Sequence, residues 1–176
     1  MNSLRALGRD RAGLVFLGDL LKGFVPVLLA RLLGASPEIQ AAVATATVVG
    51  AWKSVFLRFG GGRGVVTAAG AMLVLEPRAV LLAAPVFLLV ALVVRYVSLA
   101  SLLFTLADTL LIVLFWLASG GGVPTAYAVA AVATGVLVWV AHSDNIQRLL
   151  DGTERRFDTA LLRGGRDRDG TSDLAP

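Results

Sequence analysis

Residues 78–118 read RAVLLAAPVFLLVALVVRYVSLASLLFTLADTLLIVLFWLA, a long stretch that is almost entirely apolar. Its charged residues are Arg78, Arg95 and Asp108, so Arg95 divides it into two apolar runs, 78–94 and 96–118. A bilayer core of about 30 Å is crossed by about 20 helical residues, a length that each run approaches or reaches. The stretch therefore predicts two neighbouring membrane helices that meet at Arg95.

Four further apolar segments flank this pair, at 13–33, 38–57, 64–75 and 123–141. Glycine, proline and charged residues separate them, and these residues interrupt helices. Segment 64–75 is too short to span alone, so it is either extended into the preceding glycines or a half-helix shielded by its neighbours. The fold class predicted is all-α: a polytopic transmembrane helical bundle of about six membrane helices with short cytoplasmic motif loops.

The composition agrees with a membrane protein. Of 176 residues, 57% are hydrophobic, and the mean hydropathy is +0.80, more than a soluble core requires. The chain has no cysteine and one histidine, which excludes disulfides and thiolate metal sites and argues against zinc. We predict no metal and no cofactor.

The 16 basic and 12 acidic residues give a net charge of +4, and the position of the arginines matters more than their number. With the N-terminus in the cytoplasm, most arginines fall on one side and only Arg31 and Arg78 on the other. This is the positive-inside pattern, and it predicts that both termini are cytoplasmic. It favours a topological role for the charge over a nucleic-acid partner.

Residues 1–157 are expected to form a single membrane domain. Residues 1–11 are polar and basic without an apolar core, so they do not form a signal peptide. Residues 158–176 alternate arginine, aspartate and glycine, a composition typical of a disordered cytoplasmic tail.

A glycine-rich segment, Phe59-Gly-Gly-Gly-Arg63-Gly-Val-Val-Thr67, stands directly before a predicted helix. Exposed backbone N–H groups and the positive end of a helix dipole favour an anion, and an arginine can pair with phosphate through two parallel bonds. The segment lacks the Gly-Lys-Ser/Thr ending of a Walker A loop. The alternative is that the glycines only allow a turn and close helix packing.

Polar residues also close the last membrane helix, in the run from His142 to Glu154. On a continuous helix His142 and Asn145 would share one face, so an imidazole and an amide could meet one ligand at the lipid–water boundary. Histidine is the usual proton carrier near neutral pH. The alternative is that His142 merely caps the helix or sits at the interface.

Charged residues within apolar segments are functional candidates, because an unpaired charge in a membrane helix is costly. Asp19 and Lys22 lie one helical turn apart, and Asp108 stands alone in its segment. A structural ion pair and a packing role are the alternatives. From charge alone, a small transporter using these three residues is a third possibility.

Together these motifs resemble the acyl-phosphate:glycerol-3-phosphate acyltransferase (PlsY) family, in order from Asn2 to about residue 157. The matching stretches are Asn2–Gly8, Gly18–Gly23, Phe59–Thr67, Arg95–Ser101 and His142–Glu154. The resemblance implies transfer of a fatty acyl group from acyl phosphate to the 1-hydroxyl of glycerol 3-phosphate, giving lysophosphatidate and phosphate. It also implies a bacterial inner membrane location and membrane lipid as a partner.

The resemblance also assigns residues. His142 and Asn145 would be catalytic, with Asn145 orienting substrate and His142 binding it or accepting a proton. Asp19, Lys22 and Glu154 would be structural, with Glu154 fixing the tail loop. The substrate-binding residues would be Asn2, Arg5, Gly61, Gly62, Arg63, Gly64, Thr67, Ser98 and Arg148, with Arg5 and Arg63 holding phosphate.

Three departures from the family pattern bear on activity. The family begins with another membrane helix and a Gly-Ser-Gly-Asn loop, most of which this chain is expected to lack. Ala51 follows Gly50 where the family has histidine, and Arg63 stands where lysine is commoner. A second hypothesis is therefore a truncated or degenerate homologue that binds acyl chains or phosphate without turnover.

Overall fold

A computed structural model describes residues 2–54 and 61–157, and the side chains of 11–54 and 61–157. Within these ranges the chain is helical, with loops between the helices and no strand. The α-helices are α1 (Asn2–Leu32), α2 (Pro37–Trp52), α3 (Val65–Leu75), α4 (Pro77–Leu89), α5 (Val97–Ala118), α6 (Thr125–Ala141) and α7 (Ser143–Leu150). A π-helical segment, Val90–Val94, continues α4. The predicted all-α fold is confirmed.

The six predicted segments correspond in order to α1–α6. Three of the described helical stretches are long and apolar enough to cross a membrane, Arg11–Leu32, Pro77–Val94 and Val97–Ala118. Helices α6 and α7 pass the same test only as a pair, and they are bent by 59°. Helix α1 begins well before the predicted apolar segment, because the polar residues from Asn2 onward continue the same helix.

Helices α1 and α3 pack backbone to backbone. A Cβ atom on Gly23 would overlap the Thr67 carbonyl, and one on Gly70 would overlap the Leu20 carbonyl. The hydroxyl of Thr67 donates a hydrogen bond of 3.0 Å to the Asp19 carbonyl oxygen across the same contact. Small residues permit this close approach between membrane helices, where no hydrophobic effect draws them together.

A polar cluster joins the helices at the end of the bundle where α1 ends. Arg31 of α1 donates to Gln40 of α2 at 3.2 Å, to the Leu75 carbonyl at 3.4 Å and to the Tyr127 hydroxyl of α6 at 3.2 Å. Tyr127 in turn donates to Gln40 at 2.8 Å. The C-terminus of α3 and the N-terminus of α6 therefore lie at the same level of the bundle.

From that level α3 reaches less far than α6. The 11 residues of α3 rise about 16 Å, whereas the 17 residues of α6 rise about 25 Å. The first turn of α3, with Val65 and Ala68, packs in one cluster with Val138 of α6, which lies three residues before α6 ends. Helix α3 is a half-helix held between longer neighbours, which is one of the two arrangements that its length predicts.

Candidate functional site

Four parts of the chain meet near the first turn of α3. They are the loop 61–64 before α3, the first turn of α5, the bend between α6 and α7, and the segment 151–157 after α7. Together they bring side chains from distant parts of the sequence to one end of the bundle, opposite the Arg31 cluster. The side chains that form the site are those of Arg63, Ser98, His142, Asn145, Arg148 and Glu154.

The glycines of the loop are required by its path. A Cβ on Gly61 would lie 2.5 Å from the Trp52 carbonyl oxygen, closer than real side chains approach. Gly64 has a φ of 75° and would place a Cβ 3.1 Å from Val48 Cγ1. Glycine adopts this left-handed conformation without steric cost. The glycines therefore let the loop fold onto α2 and let α3 start at Val65, two residues after Arg63.

Arg63 is half-buried at the N-terminus of α3. Its Nη1 atom is inaccessible to solvent and has no hydrogen-bond partner among the residues that the structure describes. Burial lowers the pKa of Arg63, and the positive charge of Arg148 acts in the same direction. A negatively charged ligand here would accept a hydrogen bond from Nη1 and would offset the positive charges of Arg63 and Arg148.

Glu154 accepts hydrogen bonds from three other side chains of the site. One carboxylate oxygen, Oε1, accepts hydrogen bonds from Ser98 Oγ at 3.0 Å and from Asn145 Nδ2 at 2.9 Å. The other, Oε2, accepts from Arg148 Nε at 2.9 Å. Burial alone would raise the pKa of Glu154, but the bonds from Asn145, Arg148 and Ser98 together bring it below its usual value. Glu154 is therefore a fixed anion that orients three donors.

The bond to Glu154 sets the orientation of the Asn145 amide. A carboxylate only accepts, so the NH₂ group of Asn145 faces Glu154 and the oxygen Oδ1 faces the other way. Asn145 is 7% exposed, and Oδ1 has no partner within the described ranges. An unpaired acceptor thus joins the unpaired donor on Arg63 in the same site.

His142 lies at the bend, beyond the last residue of α6. It is 2% exposed, and Nδ1 is 2.7 Å from the Val138 carbonyl oxygen. Because a carbonyl only accepts, Nδ1 carries the proton and Nε2 keeps its lone pair. Burial lowers the pKa of His142, with the charge of Arg63 acting in the same direction. Burial thus favours the neutral imidazole, in which Nε2 is an acceptor.

The segment after α7 is tied back to the junction of α4 and α5. The Phe157 backbone N–H donates to the Arg95 carbonyl at 2.6 Å, and Arg95 Nε donates to the Phe157 carbonyl at 3.0 Å. Phe157 is buried. The sequence places Arg95 within a matching motif but gives no signal that it holds Phe157, because the two lie 62 positions apart.

Three predicted residues are engaged elsewhere. Thr67 is buried and donates its hydroxyl proton to α1. Asp19 and Lys22 form an ion pair of 2.8 Å on α1, with side chains 37% and 65% exposed. Asn2 and Arg5 fall in α1, but their side chains lie outside the described part of the chain.

Asp108 lies deeper, in the middle of α5. It is buried, and its Oδ1 atom has no partner among the described residues. Ser98 is ten residues earlier on the same helix, so about 15 Å separates the two along the helix axis. The described residues contain no group of three or more His, Asp or Glu side chains that could hold a metal ion.

The chain is therefore an integral membrane helical bundle with a polar site between its helix ends. The family model described as Glycerol-3-phosphate acyltransferase matches residues 1–152. The Glycerol-3-phosphate acyltransferase of Rubrobacter xylanophilus is 44% identical over 164 residues, covering 93% of this chain and 79% of that protein. That of Pseudomonas aeruginosa is 43% identical over 156 residues, covering 89% and 78%.

Two solved structures share the fold. A crystal structure of PlsY (YgiH), an integral membrane glycerol 3-phosphate acyltransferase in its glycerol 3-phosphate form, superposes with a TM-score of 0.83 at 36% identity, covering 93% of this chain and 80% of that one. Its lysophosphatidic acid form gives 0.82 at 37%, covering 93% and 81%. The chain belongs to the glycerol-3-phosphate acyltransferase (PlsY) family.

Proposed function

We propose that this protein transfers a fatty acyl group from acyl phosphate to the 1-hydroxyl of glycerol 3-phosphate, giving lysophosphatidate and inorganic phosphate. Family membership supports the acceptor, and the two related crystal structures are described as glycerol 3-phosphate and lysophosphatidic acid forms. The acyl phosphate donor follows from the resemblance of the motifs. The site contributes the arrangement of charges that such a transfer needs.

The observation that carries the proposal is the pair of unsatisfied atoms, Arg63 Nη1 and Asn145 Oδ1. The first can only donate a hydrogen bond and the second can only accept one. A ligand that satisfies both must carry an anion or another acceptor together with a hydroxyl or another donor. Glycerol 3-phosphate has both, with its phosphate suited to Arg63 and a hydroxyl suited to Asn145.

In the reaction, the hydroxyl oxygen attacks the acyl carbonyl carbon, a new ester bond forms, and the bond between that carbon and the phosphate oxygen breaks. Negative charge moves onto the departing phosphate, so fixed positive charges and N–H donors lower the barrier. The N–H groups of Gly61 and Gly64 and the N-terminus of α3 would supply them beside Arg63, whereas the Gly62 N–H already donates to the Ala51 carbonyl at 3.1 Å. No covalent enzyme intermediate is involved.

The hydroxyl must also lose its proton. His142 Nε2 has a free lone pair and lies on a buried ring held by Val138, so it is the acceptor that this site offers. The leaving phosphate is the other available base. If His142 is the base, it carries the proton away. If the leaving phosphate is the base, His142 only binds the hydroxyl. The motif predicts either role.

Ser98, Arg148 and Glu154 fix Asn145 and set its direction. Ser98 and Arg148 each donate to Glu154, so we assign them to the support of Asn145. Arg148 additionally places a second positive charge near Arg63, which favours a phosphate-bearing substrate. Asn2 and Arg5 remain proposed contacts by motif resemblance.

We also propose that the site end of the bundle faces the cytoplasm in a bacterial inner membrane. The site end carries Arg63, Arg95, Arg148, Arg155 and Arg156, whereas Arg31 and Arg78 lie at the opposite end. This distribution supports cytoplasmic termini through the positive-inside rule. Cytoplasmic access would also suit a water-soluble acceptor.

Acyl transfer in lipid vesicles tests the proposal. Purified protein is given labelled glycerol 3-phosphate with palmitoyl phosphate, or with palmitoyl-coenzyme A as an alternative donor. We expect labelled lysophosphatidate from palmitoyl phosphate alone, a loss of more than tenfold in Arg63→Ala and Asn145→Ala, and normal rates in Arg78→Gln. Absence of product with both donors would favour the hypothesis of a non-catalytic homologue, and product from the coenzyme A donor alone would overturn the assigned donor.

A further inference from the structure

The junction between α4 and α5 departs from regular helix geometry at one place. Residues Val90–Val94 form a π-helical turn, and Arg95 follows with a φ of 66°. Arg95 is the only residue other than glycine with a positive φ in the described part of the chain. A left-handed conformation is unfavourable for a residue with a Cβ, and such strained positions cluster at functional sites, as do π-turns.

The unusual backbone turns Arg95 towards the segment after α7. Its carbonyl accepts from the Phe157 N–H at 2.6 Å, and its Nε donates to the Phe157 carbonyl at 3.0 Å. One residue thus binds both backbone groups of another, while the Phe157 ring is buried. We call this pair the Arg95–Phe157 clasp.

A second attachment lies three residues earlier. The backbone N–H groups of Thr153 and Glu154 both donate to the Arg148 carbonyl, at 2.8 Å and 3.0 Å. The stretch 154–157 is therefore anchored at one end to α7 and at the other to the junction before α5. Glu154 lies within this anchored stretch, and its carboxylate holds Ser98, Asn145 and Arg148.

We propose that Arg95 is a positioning residue for acyl transfer: the Arg95–Phe157 clasp holds Glu154 against Asn145 and so directs Asn145 Oδ1 at the substrate hydroxyl. Arg95 acts here through Glu154. The inference rests on the proposed function, because it assigns Arg95 a role in placing glycerol 3-phosphate. It concerns the hydroxyl end of the acceptor substrate and leaves the departing phosphate of the donor to the glycine loop and the N-terminus of α3.

The test compares two substitutions of Arg95. Arg95→Gly relieves the positive φ and keeps the backbone carbonyl bond while it removes the side chain with its guanidinium, whereas Arg95→Lys keeps a donor and a charge. Arg78→Gln is the control, because it removes an arginine at the opposite end of the bundle. For each we would measure KM and kcat with both substrates in lipid, and amide hydrogen exchange of residues 151–157.

In Arg95→Gly we expect faster exchange in 151–157 and a fall in kcat/KM for glycerol 3-phosphate of about tenfold to a hundredfold, as misplacement of a substrate-orienting group produces. KM for palmitoyl phosphate should stay within about twofold, because a lost overall fold would raise both. Arg95→Lys should recover part of the loss, and Arg78→Gln should match the wild type.

Phe157→Ala provides a second route if Arg95→Gly does not fold. It removes the buried ring, keeps the backbone groups, and should reproduce the same selective loss for glycerol 3-phosphate. Faster exchange in 151–157 with unchanged kinetics would overturn the positioning role, and unchanged exchange in both variants would overturn the clasp itself. An inactive wild-type protein would instead contradict the proposed function, so the two failures are distinguishable.

Discussion

Gly70 of α3 lies directly against the Leu20 carbonyl of α1, with no room for a Cβ between the two helices. The same contact sets the depth of α3 and hence the position of Arg63 two residues before it begins. Gly23 makes the reciprocal contact against Thr67, and Thr67 adds a hydrogen bond to the Asp19 carbonyl. These two glycines in the bundle therefore help to set the geometry of the site.

The first prediction concerns this contact. Gly70→Ala should destabilise the bundle by about 1–3 kcal/mol, because the added methyl group meets backbone that cannot move aside. Gly18→Ala on α1 is the matched control, since a Cβ there meets nothing within 4 Å. Thermal unfolding in detergent should show a lower Tm for Gly70→Ala alone. An equal Tm for both variants would contradict the close approach.

The second prediction concerns Glu154. Glu154→Gln turns one acceptor oxygen into an NH₂ group, so a donor would face another donor from Ser98, Asn145 or Arg148. Leaving a buried polar group unpaired costs about 1–3 kcal/mol, and activity should fall at least tenfold as Asn145 turns. Asp151→Asn is the control, because Asp151 is exposed and binds only Gln147 among the described residues. Wild-type rates in Glu154→Gln would show that Asn145 does not depend on this carboxylate.

The third prediction is a pH dependence. The pKa of Glu154 is lower in the folded protein than its ordinary value of 4.5. The ionised carboxylate therefore stabilises the fold fully above about pH 4.5, and this contribution is lost as the pH falls through the lower, folded pKa. Plotting Tm against pH should show an acid-side decrease that is smaller in Glu154→Gln. Parallel curves for both proteins would refute the assignment.

The fourth prediction separates an enzyme from a transporter. Asp108 lies about 15 Å along α5 from Ser98, so Asp108→Asn should leave kcat/KM for acyl transfer within about twofold. A transporter that used Asp19, Lys22 and Asp108 would lose flux of its substrate in the same variant. Assaying transfer and uptake of glycerol 3-phosphate in the same vesicles compares the two directly. A tenfold loss of transfer would place Asp108 in the chemistry after all.

Much of the fold was predictable, because apolar runs of the right length have few other solutions in a membrane. Segments 78–94 and 96–118 became α4 with its π-turn and α5, and the glycine motif became the start of α3. The π-turn itself had no sequence signal, since Val90–Val94 is apolar like the residues before it. Hydropathy reports where a helix lies and leaves its hydrogen-bond pattern undefined.

The sequence indicates which residues could form the site better than it indicates which of them are in contact. The sequence places His142, Asn145 and Glu154 in one motif, and in the structure Glu154 accepts a hydrogen bond from Asn145. The bend of 59° after α6 separates His142 from the continuous helical face that its spacing predicted. Thr67 stood in a motif that resembles a phosphate loop, yet its hydroxyl joins two helices. Contacts such as Arg95 with Phe157 depend on the path of a loop, which residue periodicity does not encode.

The shortness of α3 has a consequence for how two dissimilar molecules could meet. Because its first turn packs beside Val138, about one helical turn before the end of α6, Arg63 lies at the end of the bundle, close to both water and lipid. A small, charged, water-soluble molecule would reach Arg63 from one side of the membrane, while a molecule with a long hydrocarbon tail would approach laterally and keep that tail in lipid. The half-helix thus brings an aqueous route and a lipid route to the same arginine.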